Sequence, residues 1–227
     1  MPSVCVAESQ TNGYGQRGSK WYSNADSITF SVLLPINESI NNLTGISQLI
    51  ALDIKRVLAS FTQEQIKLKW PNDLFVDDAK VGGLLIEVVK QSTNQTWLVI
   101  GIGINIGAFN VITPTNYKAA GIHFDNDLRN KALINLCSRL VTLCESFHPK
   151  LWLDNSADWY ESDIFRLNEA VWILRGNKQQ QFYYVGLSAG AELMLSDIPL
   201  DSPDIKSENI LLFSSGAVSV RRLEWLN

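Results

Sequence analysis

Between Ile66 and Ile106 the chain passes through one strand-length apolar segment after another, with no helix-length stretch between them. Ile66, Leu68 and Trp70 alternate with Lys67 and Lys69, the signature of a half-buried strand. Pro71 lacks an N–H and stops that strand, so Asn72 and Asp73 are expected in the turn that follows. Leu74-Phe75-Val76, a turn at Asp77-Asp78 and the run Val81–Val89 then read as a hairpin. Trp97–Ile106, mostly apolar, reads as a central strand.

Helical spacing appears on both sides of this block. Ile46, Ile50, Ile54, Val57, Leu58 and Phe61 predict an amphipathic helix within 44–61. Leu133, Leu136, Leu140, Leu143 and Cys144 predict another within Leu128–Phe147, and a shorter one is expected over Lys150–Ser162. Two strands lie upstream, Val4–Ala7 and Ile28–Leu34, the second closed by Pro35. Composition changes near Leu167. Val171–Leu174, Phe182–Leu187, Glu192–Leu195, Ile210–Phe213 and Ala217–Val220 are short apolar strands. Gly176-Asn177, Gly190, the polar loop Ser196–Asn209 and Ser214-Ser215-Gly216 separate them, the pattern of a small β-barrel. The expected organisation is a domain over 1–166 and a second over 167–227.

With 46% hydrophobic and 19% charged residues in 227, the chain reads as an ordinary globular protein. A net charge of −4 gives no general affinity for nucleic acid or an anionic membrane surface. Cys5, Cys137 and Cys144 are too few for a disulfide framework, and the two histidines, His123 and His148, form no metal-ligand spacing. That argues against a transition-metal enzyme. The sequence shows no signal peptide and no apolar run of bilayer length, so the cytoplasm is the expected location and no membrane contact is foreseen.

Three groups of residues carry chemistry. The loop Gln10–Trp21 holds Gly13, Gly15 and Gly18 beside Arg17 and Lys20, so its backbone amides can curl round an anion; a plain surface loop has the same composition. Lys69-Trp70-Pro71-Asn72-Asp73 offers a lysine to phosphates and oxygen ligands to Mg²⁺, although Asn-Asp after proline is also simply a good turn pair. Lys80 precedes Gly82-Gly83 at the head of an apolar strand, where two glycines cost stability unless something approaches the backbone. Asn105 is a polar residue at the end of the apolar run Gly101–Ile106, suited to core hydrogen bonding or to a metal oxygen.

In this order the segments resemble the biotin protein ligase family. The similarity lies in Lys-Trp-Pro-Asn-Asp at 69–73, Lys-Val-Gly-Gly-Leu-Leu-Ile-Glu at 80–87 and Gly-Ile-Gly-Ile-Asn at 101–105. Gly13, Gly15, Gly18 and Trp21 of the loop fit too, as does Gly216-x-Val218-Ser219-Val220-Arg221. The resemblance implies an α+β fold, with a mixed central β-sheet, helices packed on one side as in class II synthetases, and a small SH3-like C-terminal β-barrel. It implies that ATP and Mg²⁺ activate biotin to biotinyl-5′-adenylate, and that biotin passes to a lysine of a biotin carboxyl carrier protein of acetyl-CoA carboxylase or a related carboxylase. Lys80 would be the catalytic cation. Biotin and the adenylate would lie against Gln10, Gly13, Tyr14, Gly15, Gln16, Arg17, Trp21, Lys80, Gly82 and Gly83. ATP phosphates would meet Lys69, Asn72, Asp73 and Asn105, with Asp73 and Asn105 also holding Mg²⁺. Self-association into a homodimer is left open.

The chain departs from the family pattern at Tyr14, Gln16 and Ser19, where the family loop carries arginines. The family's N-terminal Ser-Thr-Asn strand end and helix are not found before Val4, which suggests an N-terminal truncation, and no winged-helix segment precedes the catalytic part. Two alternatives follow: a non-catalytic paralogue that binds biotin or the carrier, and a lipoate or octanoate transferase.

Overall fold

The computed structural model describes residues 1–109, 118–176, 178–216 and 218–225. They form two compact units, Met1–Ser162 and Asp163–Asn227. In the first, the apolar segments become β1 (Ser3–Ala7), β2 (Ile28–Ile36), β3 (Ile66–Lys69), β4 (Asp73–Val76), β5 (Ala79–Gln91) and β6 (Thr96–Ile104), with a two-residue β7 (Lys118–Ala119). The helices are α1 (Ile46–Leu58), α2 (Arg129–Ser146) and α3 (Leu151–Ser162). The sheet order is β1-β2-β6-β5-β4-β3, all antiparallel, and β7 lies parallel beside β5, so the sheet is mixed.

Side chains alternate across a strand, so each register row belongs to one face. The rows Ile28–Ile104–Gly82–Leu74–Leu68, Phe30–Ile102–Leu84 and Val32–Ile100–Ile86 face the helices. α1 and α2 cover them with Leu49, Ile50, Ile54 and Leu58 and with Ala132, Leu136, Leu140 and Leu143, all buried. Burying such side chains contributes about 1.5–3 kcal/mol each, which is why the helices sit on this face. β2 does not stop at Pro35 but continues to Ile36, with Pro35 opposite Trp97. β1 pairs with β2 only as far as Leu33, so at Pro35 the strand has become an edge, where a missing N–H is tolerated.

One buried carboxylate ties the three helices together. Asp53 of α1 pairs with Arg56 and with Arg139 of α2, both at 3.0 Å, and Arg56 reaches Asn155 and Asp158 of α3. Asp53→Ala removes the shared anion and leaves two half-exposed arginines that can rehydrate. The expected cost is about 2–3 kcal/mol, somewhat below the loss for a fully buried pair, and a urea unfolding curve measures it.

The second unit holds β8 (Ala170–Arg175), β9 (Lys178–Leu187), β10 (Leu193–Ser196), β11 (Ile210–Phe213) and β12 (Ser219–Arg221). Their order is β11-β10-β9-β8-β12, each adjacent pair antiparallel. The expected closed SH3-like barrel is not formed. A barrel closes only when its terminal strands pair with each other. Among the described residues the short β11 and β12 each have one strand neighbour, and the sheet is open. Its buried residues Val171, Phe182, Tyr184, Leu193 and Leu195 are accompanied by Phe165, whose ring lies 5.3 Å from Tyr184 and 6.0 Å from Trp225. Alternation reads the same in an open and a closed sheet, so the pattern could not separate them. The expected turn residue Asn177 and strand start Ala217 lie outside the described residues.

Candidate functional site

The face of the large sheet opposite the helices is lined with small residues. One register row crosses it as Ala7–Thr29–Gly103–Gly83–Asp73–Lys69, and the next as Cys5–Ser31–Gly101–Leu85. Glycines at 83, 101 and 103 leave bare backbone in the middle of this face, with Asp73 and Lys69 at the end of the row. Asp73 is not in the turn. The β3–β4 loop is Trp70-Pro71-Asn72, with a cis Trp70–Pro71 bond, and Asp73 opens β4 opposite Lys69.

Lys80 reaches this face through an irregularity. The β4–β5 register steps from Leu74 opposite Gly82 to Phe75 opposite Lys80, which leaves Val81 as an extra residue, a β-bulge. Val81 is fully buried, and the Lys80 ammonium donates to Asp73 Oδ1. Lys69 Nζ lies 3.9 Å from the other carboxylate oxygen. The Lys69, Asp73 and Lys80 side chains are 3%, 13% and 28% exposed, so the cluster holds two cations on one anion and only Lys80 opens much to solvent. The excess positive charge in a partly desolvated place attracts phosphate or carboxylate.

The two glycines after Lys80 do different work. A Cβ on Gly83 would lie 3.3 Å from Asp73 Oδ1 and 3.4 Å from Lys80 Nζ, crowding the cluster. One on Gly82 would lie 2.9 Å from the Gly103 carbonyl, so Gly82 is required by strand packing. Asn72 is buried; its Nδ2 donates to the Leu84 carbonyl while Leu84 N–H donates back to Asn72 O at 3.1 Å. Its amide nitrogen clamps the turn onto β5. Asn105 donates its N–H to Val81 O at 2.8 Å and its Nδ2 to Ala120 O at 3.2 Å, and the Ala120 N–H donates to Lys80 O at 3.1 Å. The backbone of one residue, Ala120, therefore links Asn105 to Lys80. Asn105 Oδ1 is buried with no hydrogen-bond partner among the described residues, an acceptor suited to a donor or a cation. β5 separates Asn105 from Asp73.

The glycine-rich loop is a closed hairpin. Gly15 N–H donates to Ser19 O at 2.7 Å and Trp21 N–H to Gly13 O at 2.9 Å, while Arg17 (φ 58°) and Gly18 (φ 70°) turn its tip. Gln16 O accepts from Ser19 N–H at 3.2 Å and from Ser19 Oγ at 2.9 Å. The Trp21 indole stands over Gly103, where a Cβ would come within 2.3 Å of the ring. Gln10 N–H donates to Ser23 Oγ at 3.2 Å, and its side chain lies against Gly13. Tyr14 donates its hydroxyl to Glu87 Oε2 at 3.1 Å, and this bond, with the carboxylate's charge, pushes the phenol pKa up. The loop thus lies on the same face as Asp73 and Lys80. Glu87 and the Ala120 backbone were not among the expected site residues. Glu87 was legible, since 83, 85 and 87 alternate onto one face; Ala120 was not, because β7 is too short to leave a pattern.

Among the described residues no three His, Cys, Asp or Glu side chains gather as a metal cluster, and no helix is long and apolar enough to cross a membrane. Residues 1–105 match the model of the biotin/lipoate A/B protein ligase family. The bifunctional ligase/repressor BirA of Escherichia coli (strain K12) is 28% identical over 196 residues, covering 83% of this chain and 59% of that protein. The chain thus spans about three-fifths of the curated relative's length. The biotin–[acetyl-CoA-carboxylase] ligase of Mycobacterium tuberculosis is 32% identical over 108 residues, 45% of this chain and 39% of that protein. Among solved structures, the biotin protein ligase from Aquifex aeolicus in complex with biotin and ATP superposes with a TM-score of 0.72 at 25% identity. The match covers 96% of this chain and 88% of that one.

Proposed function

We propose that this chain, a member of the biotin/lipoate A/B protein ligase family, joins biotin to a lysine of a biotin carboxyl carrier protein at the expense of ATP. The observation that carries the reading is the Lys69–Asp73–Lys80 cluster at the end of the glycine-lined row, on the same sheet face as a loop anchored by Trp21 at Gly103. In the first half-reaction a biotin carboxylate oxygen attacks the α-phosphorus of ATP, the bond to the β-phosphate oxygen breaks, and pyrophosphate leaves. In the second, the carrier's amine attacks the carbonyl of that mixed anhydride, releasing AMP and a proton. Neither step needs a protein nucleophile; charge and position carry the rate. Lys80, the more exposed cation, stabilises charge on the carboxylate and α-phosphate. Lys69, buried behind Asp73, adds positive potential and fixes the carboxylate. Gly83, Gly103 and Trp21 bound the space for the substrate, and Gln10, Gly13, Gly15, Gln16 and Arg17 form the covering loop.

Magnesium fits this donor set as an ion carried by ATP. It is commonly held by one or two protein carboxylates and the phosphates, and the protein offers the Asp73 carboxylate and the open acceptor of Asn105. When bound it neutralises phosphate charge. Arginine is absent at position 16, which favours the alternative of a binder without turnover. Pyrophosphate release with biotin, ATP and Mg²⁺ separates the two. Release that depends on biotin and is not supported by lipoate is the expected result; biotin binding without release would establish the binder instead.

A further inference from the structure

We propose that Glu87 is a positioning residue. By accepting the Tyr14 hydroxyl it holds the Gly13–Trp21 loop down over the glycine-lined face, and so sets how readily bound adenylate escapes, a role that rests on the ligase reading above. Gly83, Leu85 and Glu87 share one face of β5, and Gly103 and Gly101 lie opposite the first two. Trp21 anchors the loop at the Gly103–Gly83 row, where the missing Cβ admits its ring. Tyr14 anchors it at Glu87, four residues or about 13 Å further along the strand. The span between the anchors is floored by Leu85 and the bare backbone of Gly101.

The two anchors differ in kind. Trp21 is held by packing, whereas Tyr14 is 58% exposed and little packing fixes its ring. The hydrogen bond at 3.1 Å is what ties that end of the loop, across 73 residues of sequence. The hairpin's own bonds, Gly15 N–H to Ser19 O and Trp21 N–H to Gly13 O, make the loop a unit, so releasing one end lets the whole swing about Trp21. A single exposed bond to a carboxylate shifts such an equilibrium a few-fold, enough to bias closure yet weak enough to break in each turnover.

Trypsin tests the latch without any substrate, because Arg17 and Lys20 are exposed in the loop. Tyr14→Phe and Glu87→Ala are each expected to speed cleavage after these residues about threefold, with the double variant no faster than either single one. Glu87→Gln keeps an acceptor oxygen and should stay nearer the wild type. In turnover, Glu87→Ala should release biotinyl-adenylate about threefold faster and raise KM for biotin similarly, with kcat and the urea midpoint unchanged. Cleavage at wild-type rates in both single variants overturns the latch and leaves the ligase reading intact. Faster cleavage in a protein whose wild type forms no adenylate overturns the ligase reading and leaves the latch as a property of the loop.

Discussion

Lys80→Ala is expected to lower biotin-dependent pyrophosphate release by about 10²–10³-fold, the loss typical of removing a preorganised charge from a reacting centre. The folded state should hardly notice. Lys80 is the most exposed member of its cluster, and among the described residues it pairs with Asp73, which keeps Lys69 at 3.9 Å. A partly exposed pair contributes about 0–1 kcal/mol, so the urea midpoint should move little. Restoring a cation as Lys80→Arg should recover only part of the rate, because a planar fork cannot occupy the same place as an ammonium beside the Gly83 backbone. Pyrophosphate release by Lys80→Ala within a few-fold of wild type would remove Lys80 from its role.

Gly103→Ala is expected to cost about 10²-fold in the same assay, the penalty for misplacing a substrate-positioning group by about an ångström. β6 is paired on both sides, with β2 and β5, so its backbone cannot yield to a methyl group placed 2.3 Å from the Trp21 ring. The indole and its loop must move instead. Stability should fall by about 1–3 kcal/mol from overpacking. The informative result is a change in tryptophan emission and faster tryptic cleavage at Arg17 with the cooperative unfolding transition retained. Unchanged activity in a folded variant would mean that the Trp21–Gly103 contact plays no part in the site.

Much of this was legible in the residues because it rests on local chemistry. Alternation at 66–70 and apolar runs at 81–89 and 97–106 specify half-buried and central strands wherever they are placed. Lys69, Asp73 and the glycine at 83 declared themselves by type and order, and the fold brings them into one row. Other outcomes depended on distant partners. Pro35 looked like a strand end and lies within β2, because β1 had already ended beside it. Asn72 was expected at the phosphates by type and order, but the contact of its amide nitrogen with the Leu84 carbonyl could not be read from any pattern within a strand. The second unit read as a barrel and is an open sheet, since closure depends on how the two terminal strands meet and not on any pattern within a strand.

By itself the sequence determined which residue types would line a charged, glycine-rich sheet face, because period-two alternation and the steric freedom of glycine are properties of the chain. Lys80 is the exception that only the tertiary structure decided. Strict alternation along β5 would put Lys80 with Gly82 and Leu84 against the helices, and Val81 on the open face with Gly83. The bulge at Val81 reverses both: the valine is buried, and the ammonium swings across to Asp73. Burial of a valine and pairing of a lysine favour the same one-residue slip, and the opening partner, Asp73, lies on a different strand.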